Sequence, residues 1–305
     1  MSIMRVVAIT GCDSGLGWAI AARTAREGIV TVAGMYNGVD TKAAESLKKL
    51  SAHPYSLDVT NPESIVKFRD YVKRLLNDNP NYKFHAIVNN AGVMTIGDYE
   101  WQTDSMVENT INVNLLGTMK VTSAFLPDLR QSAIENKGAS KPRIINIASH
   151  CGLQPLPGFA AYSASKAGVL ALTKALRMEQ RKHGLSAVAF VPGGFVSSSN
   201  IIANQGQQGQ NMLEHLNEEQ KSYYGQRIKT LSNYLQLATA HDPSYDSMKD
   251  ENIIETYVKA LTDDDPKQMY KVESWRYFFY YNLLKLPLPE AFIGWLVKKF
   301  LCFPE

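Results

Sequence analysis

Residues 10–17 read Thr-Gly-Cys-Asp-Ser-Gly-Leu-Gly, directly after the apolar run Val-Val-Ala-Ile at 6–9. A helical pattern follows from residue 16. Glycine at position 11 permits a tight turn, and glycines at 15 and 17 let the backbone approach a ligand and the helix pack on the strand. A helix N-terminus offers free N–H groups and a positive dipole end to an anion. This strand, turn and helix therefore predict a turn that binds the pyrophosphate of a dinucleotide.

Short apolar runs alternate with helix-length patterns over the first two thirds of the chain. Runs such as Ile144-Ile145-Asn146-Ile147 are nearly continuous, which is typical of parallel strands buried on both faces. The alternation predicts an α/β fold, a doubly wound parallel sheet of the Rossmann type with helices on both faces. Strands are predicted at 5–9, 29–34, 53–57, 84–88, 143–148 and 186–191, and helices at 16–27, 41–50, 64–76, 106–129 and 162–183.

The character of the sequence changes after Pro192. Residues 197–250 are polar and rich in Gln and Asn, and their place after the sixth strand favours a lid with helical sections over a plain surface loop. A last strand is predicted at 268–273, and Pro287 and Pro289 divide the aromatic tail into two helices. We expect a single domain over 1–305, with a cofactor-binding and catalytic core at 1–196, a substrate lid at 197–266 and a last strand with a hydrophobic tail at 267–305.

Composition narrows the partners and the location. The formal net charge of +3, from 32 Lys+Arg and 29 Asp+Glu, is too small an excess to suggest nucleic acid. Three widely spaced cysteines fit a reducing compartment, and neither they nor the six histidines show metal-ligand spacing, so no metal is expected. No signal peptide precedes the first strand and no apolar run is long enough for a transmembrane helix. We therefore expect a cytoplasmic protein.

Tyr162 and Lys166 stand four residues apart in a helical pattern, so they share one helix face. A tyrosine with a pKa near ~10 exchanges protons poorly at neutral pH. A neighbouring ammonium group favours the phenolate and lowers that pKa toward a useful range. Such a pair is commonplace on helix surfaces, so its meaning depends on the motifs around it.

Those motifs resemble the short-chain dehydrogenase/reductase family, in order and over nearly the whole chain. The family's glycine turn is similar to residues 10–17, its NNAG strand end to 89–92, and its proline-glycine turn to 192–195. Asn114 resembles the family's helical asparagine, and Asp58 resembles its adenine-contacting acid. Ser149 resembles its catalytic serine and lies 13 residues before Tyr162, which with Lys166 resembles its YxxxK pair. The resemblance implies hydride transfer between a nicotinamide cofactor and an alcohol or carbonyl.

The resemblance also implies a role for each catalytic residue. Ser149 would position the reacting oxygen, Tyr162 would move its proton, Lys166 would hold the ribose and lower the pKa of Tyr162, and Asn114 would anchor a water that relays the proton. The expected cofactor contacts are Gly11, Ser14, Gly15, Leu16, Gly17, Asp58, Val59, Asn90, Ala91, Gly92, Tyr162, Lys166, Pro192, Gly193, Phe195 and Ser197. The expected substrate pocket contains Ser149, Cys151, Phe159 and Tyr162, with His150, Leu153, Leu156, Phe195 and the lid as further candidates.

The cofactor preference is decided near the end of the second strand. An acidic residue there favours NAD and an arginine favours NADP, but the strand ends Gly34-Met35-Tyr36-Asn37 with neither. Asp13 in the glycine turn would repel a 2′-phosphate, so we expect NAD to be preferred over NADP.

The substrate class follows from the branch of the family that the chain resembles, which contains retinol, hydroxysteroid and 3-hydroxybutyrate dehydrogenases. We expect a hydrophobic small-molecule substrate, a steroid- or retinoid-like alcohol, and hence a part in lipid metabolism. One alternative is a small hydroxy acid such as 3-hydroxybutyrate, for which a basic lid residue such as Arg227 would point inward. The alternative of another class is a non-catalytic scaffold that senses dinucleotides.

Two further expectations concern assembly and the tail. The helices predicted at 106–129 and 162–183 are apolar over more than one face, and the family resemblance implies that they pair in a homodimer or higher oligomer. The tail combines aromatic residues with Lys285, Lys298 and Lys299, a composition that suits a membrane interface. We expect the tail to form one wall of the substrate entrance and to give peripheral membrane contact.

Overall fold

The computed structural model describes residues 3–135, 141–194, 200–239 and 244–303. Phe195 and Ser197, two of the expected cofactor contacts, lie outside the described residues.

Seven strands of the described chain form one parallel sheet in the order β3-β2-β1-β4-β5-β6-β7. They are β1 (Met4–Thr10), β2 (Val30–Met35), β3 (His53–Ser56), β4 (Tyr82–Asn89), β5 (Arg143–Ile147), β6 (Ser186–Val191) and β7 (Met269–Lys271). The strand order reverses between β1 and β4, and ligands bind beyond the carboxyl ends of the strands at such a point. The predicted fold class is confirmed.

Helices cover both faces of this sheet. The helices of the sheet layers are α1 (Gly15–Arg26), α2 (Lys42–Lys49), α3 (Pro62–Asp78), α4 (Asp104–Ile111), α5 (Thr118–Glu135), α6 (His150–Leu153), α7 (Ala160–Gln180) and α10 (Glu251–Thr262). On one face α1 and α10 pack together, and the Tyr257 hydroxyl of α10 lies 3.0 Å from Thr24 Oγ1 of α1. On the other face Phe68 of α3 and Phe125 of α5 form the centre of a second core. Helix α10 lies in the range predicted as lid, but its buried apolar side chains place it in the sheet core.

The helix predicted at 106–129 is divided in the structure. Helix α4 ends at Ile111, a π-helical segment covers Asn112–Gly117, and α5 begins at Thr118. Such wide turns recur at functional sites, because they displace a helix from its regular hydrogen bonding. This segment carries Asn114.

The lid and the tail close one end of the sheet. The lid helices α8 (Gln205–His215) and α9 (Glu218–Thr239) pack on each other. Gln205 fastens α8 to the core, since its side chain donates to the Ile96 carbonyl at 2.7 Å and accepts the Ile96 N–H at 3.2 Å. The tail forms the two predicted helices, α11 (Trp275–Leu283) and α12 (Glu290–Leu301). Among the described helices, none is both long and apolar enough to cross a membrane.

Candidate active site

The glycine turn after β1 leaves no room for side chains. Gly11 has a φ of +71°, and a Cβ there would lie 2.7 Å from the Cα of Ala91. A Cβ at Gly17 would lie 1.9 Å from the Gly11 carbonyl oxygen. The turn can therefore hold its shape only with glycine at these positions, because here the backbone packs directly on Ala91 and on the turn itself.

The side chains of Thr10, at the end of β1, and Asn90, directly after β4, hold this turn in place. The Thr10 hydroxyl accepts the N–H groups of Asn90 and Ala91, each at 3.0 Å. The Asn90 amide donates to the carbonyls of Thr10 and Gly11 at 3.0 and 2.9 Å. The strand end at 89–92 thus fixes the turn at the point where the strand order reverses.

Asp13 connects the glycine turn to the end of β2. Its two carboxylate oxygens accept the backbone N–H groups of Tyr36 and Asn37 at 2.9 and 2.8 Å. The sequence predicts a negative charge in the turn. It does not predict these hydrogen bonds, because they join residues 23 and 24 positions apart. The carboxylate therefore occupies the backbone donors where the adenosine ribose of a dinucleotide is expected.

Asn114 is fully buried behind the strand end. Its side chain accepts the Val93 N–H at 2.8 Å and donates to the Val93 carbonyl at 2.9 Å and to Ser165 Oγ at 3.1 Å. A Cβ at Gly92 would lie 3.3 Å from Asn114 Oδ1 and 3.5 Å from Lys166 Nζ, so the asparagine and the lysine flank Gly92. The Asn114 side chain is thus fully used in hydrogen bonds within the protein, and it holds the loop around Gly92 beside Lys166.

Ser149, Tyr162 and Lys166 converge at the carboxyl end of β5. Ser149 is the residue before α6, and its hydroxyl accepts the Cys151 N–H at 3.2 Å. Lys166 lies one turn after Tyr162 on α7, with Nζ 5.9 Å from the tyrosine ring centre and donating to the Ile147 carbonyl at 2.9 Å. Both side chains are buried, with 8% and 4% exposure. The structure therefore brings the three residues together as the motifs imply.

Burial sets the proton affinity of this pair. Burial raises the pKa of Tyr162, and the nearby Cys151 raises this pKa further. A hydrogen bond with Ser149 lowers the same pKa. Burial lowers the pKa of Lys166 from 10.5 to about 8. In the chain without a cofactor, desolvation therefore dominates the pKa of Tyr162, and the Lys166 ammonium is directed to the Ile147 carbonyl. The lowering of this pKa by Lys166 together with a cationic nicotinamide stays a prediction.

A cavity of about 520 Å³ joins the glycine turn to the catalytic groups and the tail. Thirteen of the expected cofactor contacts line it: Gly11, Ser14, Leu16, Gly17, Asp58, Val59, Asn90, Ala91, Gly92, Tyr162, Lys166, Pro192 and Gly193. Gly15 does not line it, contrary to expectation. Its N–H donates to the Tyr245 carbonyl at 3.0 Å and its φ of +55° bends the turn, so its part is conformational.

The end of the cavity beside Tyr162 is apolar and aromatic. Ser149, Cys151 and Phe159 line it as expected, together with Leu156. Leu153 does not, because it lies at the end of α6 with 37% of its surface exposed. The tail also lines this end of the cavity, where it was expected to form one wall of the substrate entrance. The tail residues that line it are Tyr277, Tyr281, Phe300 and Leu301.

Two polar residues considered for substrate contact make their polar contacts within the protein, although His150 lines the cavity as expected. His150 Nε2 lies 2.9 Å from the Val272 carbonyl, and the ring packs against Tyr277, with centroids 4.8 Å apart. Burial lowers the pKa of His150, so the ring is neutral at neutral pH. Arg227, the inward cation of the hydroxy-acid alternative, instead pairs with Asp98 at 3.4 Å and lies over the Trp101 ring, outside the cavity.

Comparison with known proteins agrees with this geometry. Residues 5–219 match the short chain dehydrogenase family. The chain belongs to that family. It is 30% identical to mitochondrial D-beta-hydroxybutyrate dehydrogenase of Bos taurus, over 95% of this chain and 81% of the relative. It is also 30% identical to retinol dehydrogenase 7 of Rattus norvegicus, over 95% and 88% of the two chains. Estradiol 17-beta-dehydrogenase 2 of Mus musculus is 33% identical, over 73% of this chain and 56% of the relative.

Solved structures show the same fold. A short chain dehydrogenase/reductase from Burkholderia phymatum in complex with NAD superposes with a TM-score of 0.67 at 20% identity, over 88% of this chain and 89% of that one. The 3-ketoacyl-(acyl-carrier-protein) reductase from Brucella melitensis complexed with NADH has a TM-score of 0.55 at 26% identity, over 63% and 76% of the two chains. This short chain dehydrogenase is accordingly an oxidoreductase that acts on CH–OH donors.

The residues present fit a nicotinamide dinucleotide. The glycine turn lines one end of the cavity in a shape that a Cβ at Gly11 or Gly17 would disrupt, and the cavity continues from it past Asp58 to Lys166. The turn would hold the pyrophosphate, Asp58 the adenine and Lys166 the ribose next to nicotinamide. When bound, the nicotinamide ring accepts or supplies the hydride.

Proposed function

We propose that this short chain dehydrogenase transfers hydride between NAD(H) and a neutral, hydrophobic alcohol or ketone of the steroid or retinoid type. The observation that supports this substrate class is the charge of the cavity. Asp13 and Asp58 line the cofactor end of the cavity. Lys166 is the one Lys or Arg among the described residues that line the cavity. An apolar pocket with few polar groups suits a lipid-like substrate.

A hydroxy acid fits the described pocket less well. A buried carboxylate needs a cationic partner, because an unpaired charge is costly to desolvate. Lys166 is already directed to the Ile147 carbonyl, His150 is neutral, and Arg227 is held outside by Asp98. The similarity to D-beta-hydroxybutyrate dehydrogenase keeps this alternative worth testing, although the pocket favours a neutral substrate.

The proposed mechanism assigns one task to each polar group. The Ser149 hydroxyl hydrogen-bonds the reacting oxygen and positions it next to Tyr162. In oxidation the Tyr162 phenolate takes the hydroxyl proton, and in reduction the phenol returns it. Burial opposes the phenolate, so Lys166 and the positive charge of the oxidised nicotinamide are needed to favour it.

Asn114 would assist this proton transfer by holding a relay water. Its side chain is committed to Val93 and Ser165, which leaves its main-chain carbonyl as the group that can hold a relay water. The Thr118 hydroxyl already donates to that carbonyl at 2.8 Å. A carbonyl oxygen has two lone pairs, so the bond from Thr118 alone does not saturate it.

The preference for NAD over NADP rests on Asp13. Its carboxylate takes the N–H groups of Tyr36 and Asn37, which would otherwise be donors for a 2′-phosphate. The phosphate would meet a negative charge and no free backbone donor at that point. Asp13 therefore performs the discrimination that an acidic residue after β2 performs in other dinucleotide-binding folds.

Assembly and membrane contact complete the proposal. Leu116 and Met119, near the start of α5, are 38% and 43% exposed, and would be covered in a homodimer. On the tail, Trp275 and Phe279 stack with centroids 5.4 Å apart and are 77% and 45% exposed, and Trp295 is 52% exposed. Aromatic rings beside lysines suit the headgroup region of a bilayer. The tail would then contact a membrane peripherally and receive a lipid-soluble alcohol.

The test is a substrate panel with NAD, in which formation of the reduced cofactor is followed by absorbance. We expect turnover of a retinol or a hydroxysteroid, and little turnover of D-3-hydroxybutyrate. Arg227→Ala is the discriminating variant, and we expect it to behave like the wild type. Turnover confined to D-3-hydroxybutyrate, and lost in Arg227→Ala, would establish the hydroxy-acid function instead.

A further inference from the structure

Tyr281 is the one residue of α11 that is buried, with 2% of its surface exposed. It belongs to the tail, far in sequence from the catalytic motifs, yet it lines the same cavity as Tyr162. No function assigned so far uses its hydroxyl group.

The Tyr281 ring is fixed on three sides. It stacks with Tyr277 at a centroid distance of 5.6 Å, and meets His150 and Phe300 edge-on at 5.2 and 5.5 Å. A ring held by three aromatic neighbours has little rotational freedom, so its hydroxyl points in a defined direction.

The Tyr281 hydroxyl lacks a hydrogen-bond partner of ordinary geometry among the described residues, although it is buried. Its polar surroundings are weak partners: the Cys151 thiol contacts it, and the Tyr277 and Tyr162 hydroxyls lie close enough to influence its pKa. Burial, with these neighbours, raises the pKa of Tyr281, so it stays a protonated donor at neutral pH. Buried hydroxyls are almost always paired, and an exception in a cavity wall calls for an explanation.

We propose that the Tyr281 hydroxyl donates a hydrogen bond to a second oxygen of the substrate, separate from the oxygen that reacts at Ser149 and Tyr162. This inference rests on the proposed function and narrows it. The acceptor is a neutral hydroxyl or carbonyl oxygen close to the reacting carbon, because Cys151, which contacts Tyr281, donates its N–H to Ser149 Oγ at 3.2 Å. The preferred substrate is then an oxygenated hydrophobic alcohol, such as a hydroxyketone, because a monoalcohol such as retinol lacks this second acceptor.

The experiment compares cyclododecanol with 2-hydroxycyclododecanone as substrates, each with NAD, for the wild type and two variants. Tyr281→Phe removes the hydroxyl and keeps the ring. Tyr280→Phe is the matched control, because Tyr280 lies on the same helix, contacts Phe300 and does not line the cavity. The values of kcat/KM and the unfolding temperature are measured for each protein.

We expect Tyr281→Phe to lower kcat/KM for 2-hydroxycyclododecanone about tenfold more than it lowers kcat/KM for cyclododecanol. Tyr280→Phe should change neither. The unfolding temperature of Tyr281→Phe should be equal to or above that of the wild type, since the lost hydroxyl makes no regular bond in the fold.

Three outcomes overturn the inference while the proposed function stands. The first is an equal effect of Tyr281→Phe on both substrates, and the second is a clear fall in its unfolding temperature, which would show a structural bond. The third is a wild type that oxidises a retinol or a hydroxysteroid but not 2-hydroxycyclododecanone. If the wild type oxidises neither probe nor any retinol or hydroxysteroid, the proposed function itself fails, and the inference with it.

Discussion

Replacement of Lys166 by methionine should make the protein more stable at neutral pH while it abolishes turnover. The pKa of Lys166 is lowered from 10.5 to about 8 by burial. A tenfold change in proton affinity is worth about 1.4 kcal/mol, so the buried ammonium destabilises the folded state by about 3 kcal/mol at pH 7. Loss of the bond to the Ile147 carbonyl offsets about 1 kcal/mol of the gain. Lys166→Met should therefore gain about 2 kcal/mol, or roughly 4 °C in unfolding temperature.

The pH dependence has a definite sign. Between pH 8 and 10.5 the unfolded chain holds the Lys166 proton and the folded chain does not, so the stability of the wild type rises with pH in that window. The advantage of Lys166→Met should shrink across this window and vanish near pH 10, where the lost bond to the Ile147 carbonyl offsets what remains of it. The assay is thermal or urea unfolding at pH 7 and near pH 10, with no cofactor added. Lys174→Met, an exposed lysine on the same helix, is the control. A variant less stable than the wild type at pH 7, or an advantage independent of pH, would refute the reasoning.

Three further predictions concern cofactor choice, assembly and the tail. Asp13→Asn should raise the affinity for NADP relative to NAD by about tenfold, measured by fluorescence titration; an unchanged ratio would contradict the role of Asp13. Sedimentation at micromolar concentration should show a homodimer, which Leu116→Glu weakens, whereas a clean monomer argues against that interface. Trp275→Ser combined with Trp295→Ser should reduce co-sedimentation with anionic liposomes, and Tyr223→Ser, a change at another exposed aromatic, should not; equal binding by all three proteins removes the membrane role.

The motifs that could be found in the sequence are the local ones. The glycine turn occupies eight consecutive residues, and Tyr162 and Lys166 are one helical turn apart, so spacing alone places them correctly. The strands were predicted because a parallel sheet buried on both faces demands nearly continuous apolar runs, as in β5.

What escaped prediction depends on contacts distant in sequence. The bonds of Asp13 to Tyr36 and Asn37 exist only once β1 and β2 pair. The approach of Tyr281 to Cys151 joins residues 130 positions apart, and no periodicity signals it. The pKa of Tyr162 could not be predicted either, because it depends on how completely the folded chain excludes water from the pair.

The division of the helix at 106–129 has the same origin. Its apolar pattern is continuous through Asn114, so a single helix was the natural expectation. The π-helical segment sets Asn114 against Val93, and this tertiary bonding overrides the local helical preference.

The central claim is that Tyr162 transfers a proton as hydride moves between NAD and a hydrophobic alcohol. Its most direct test is the kcat of Tyr162→Phe with the alcohol that the wild type oxidises best, measured beside NAD affinity by fluorescence titration. General acid–base catalysis contributes about 10²- to 10⁴-fold, so kcat should fall by at least that order while NAD binds as tightly as before. A Phe variant that keeps a tenth of the wild-type kcat would contradict the account.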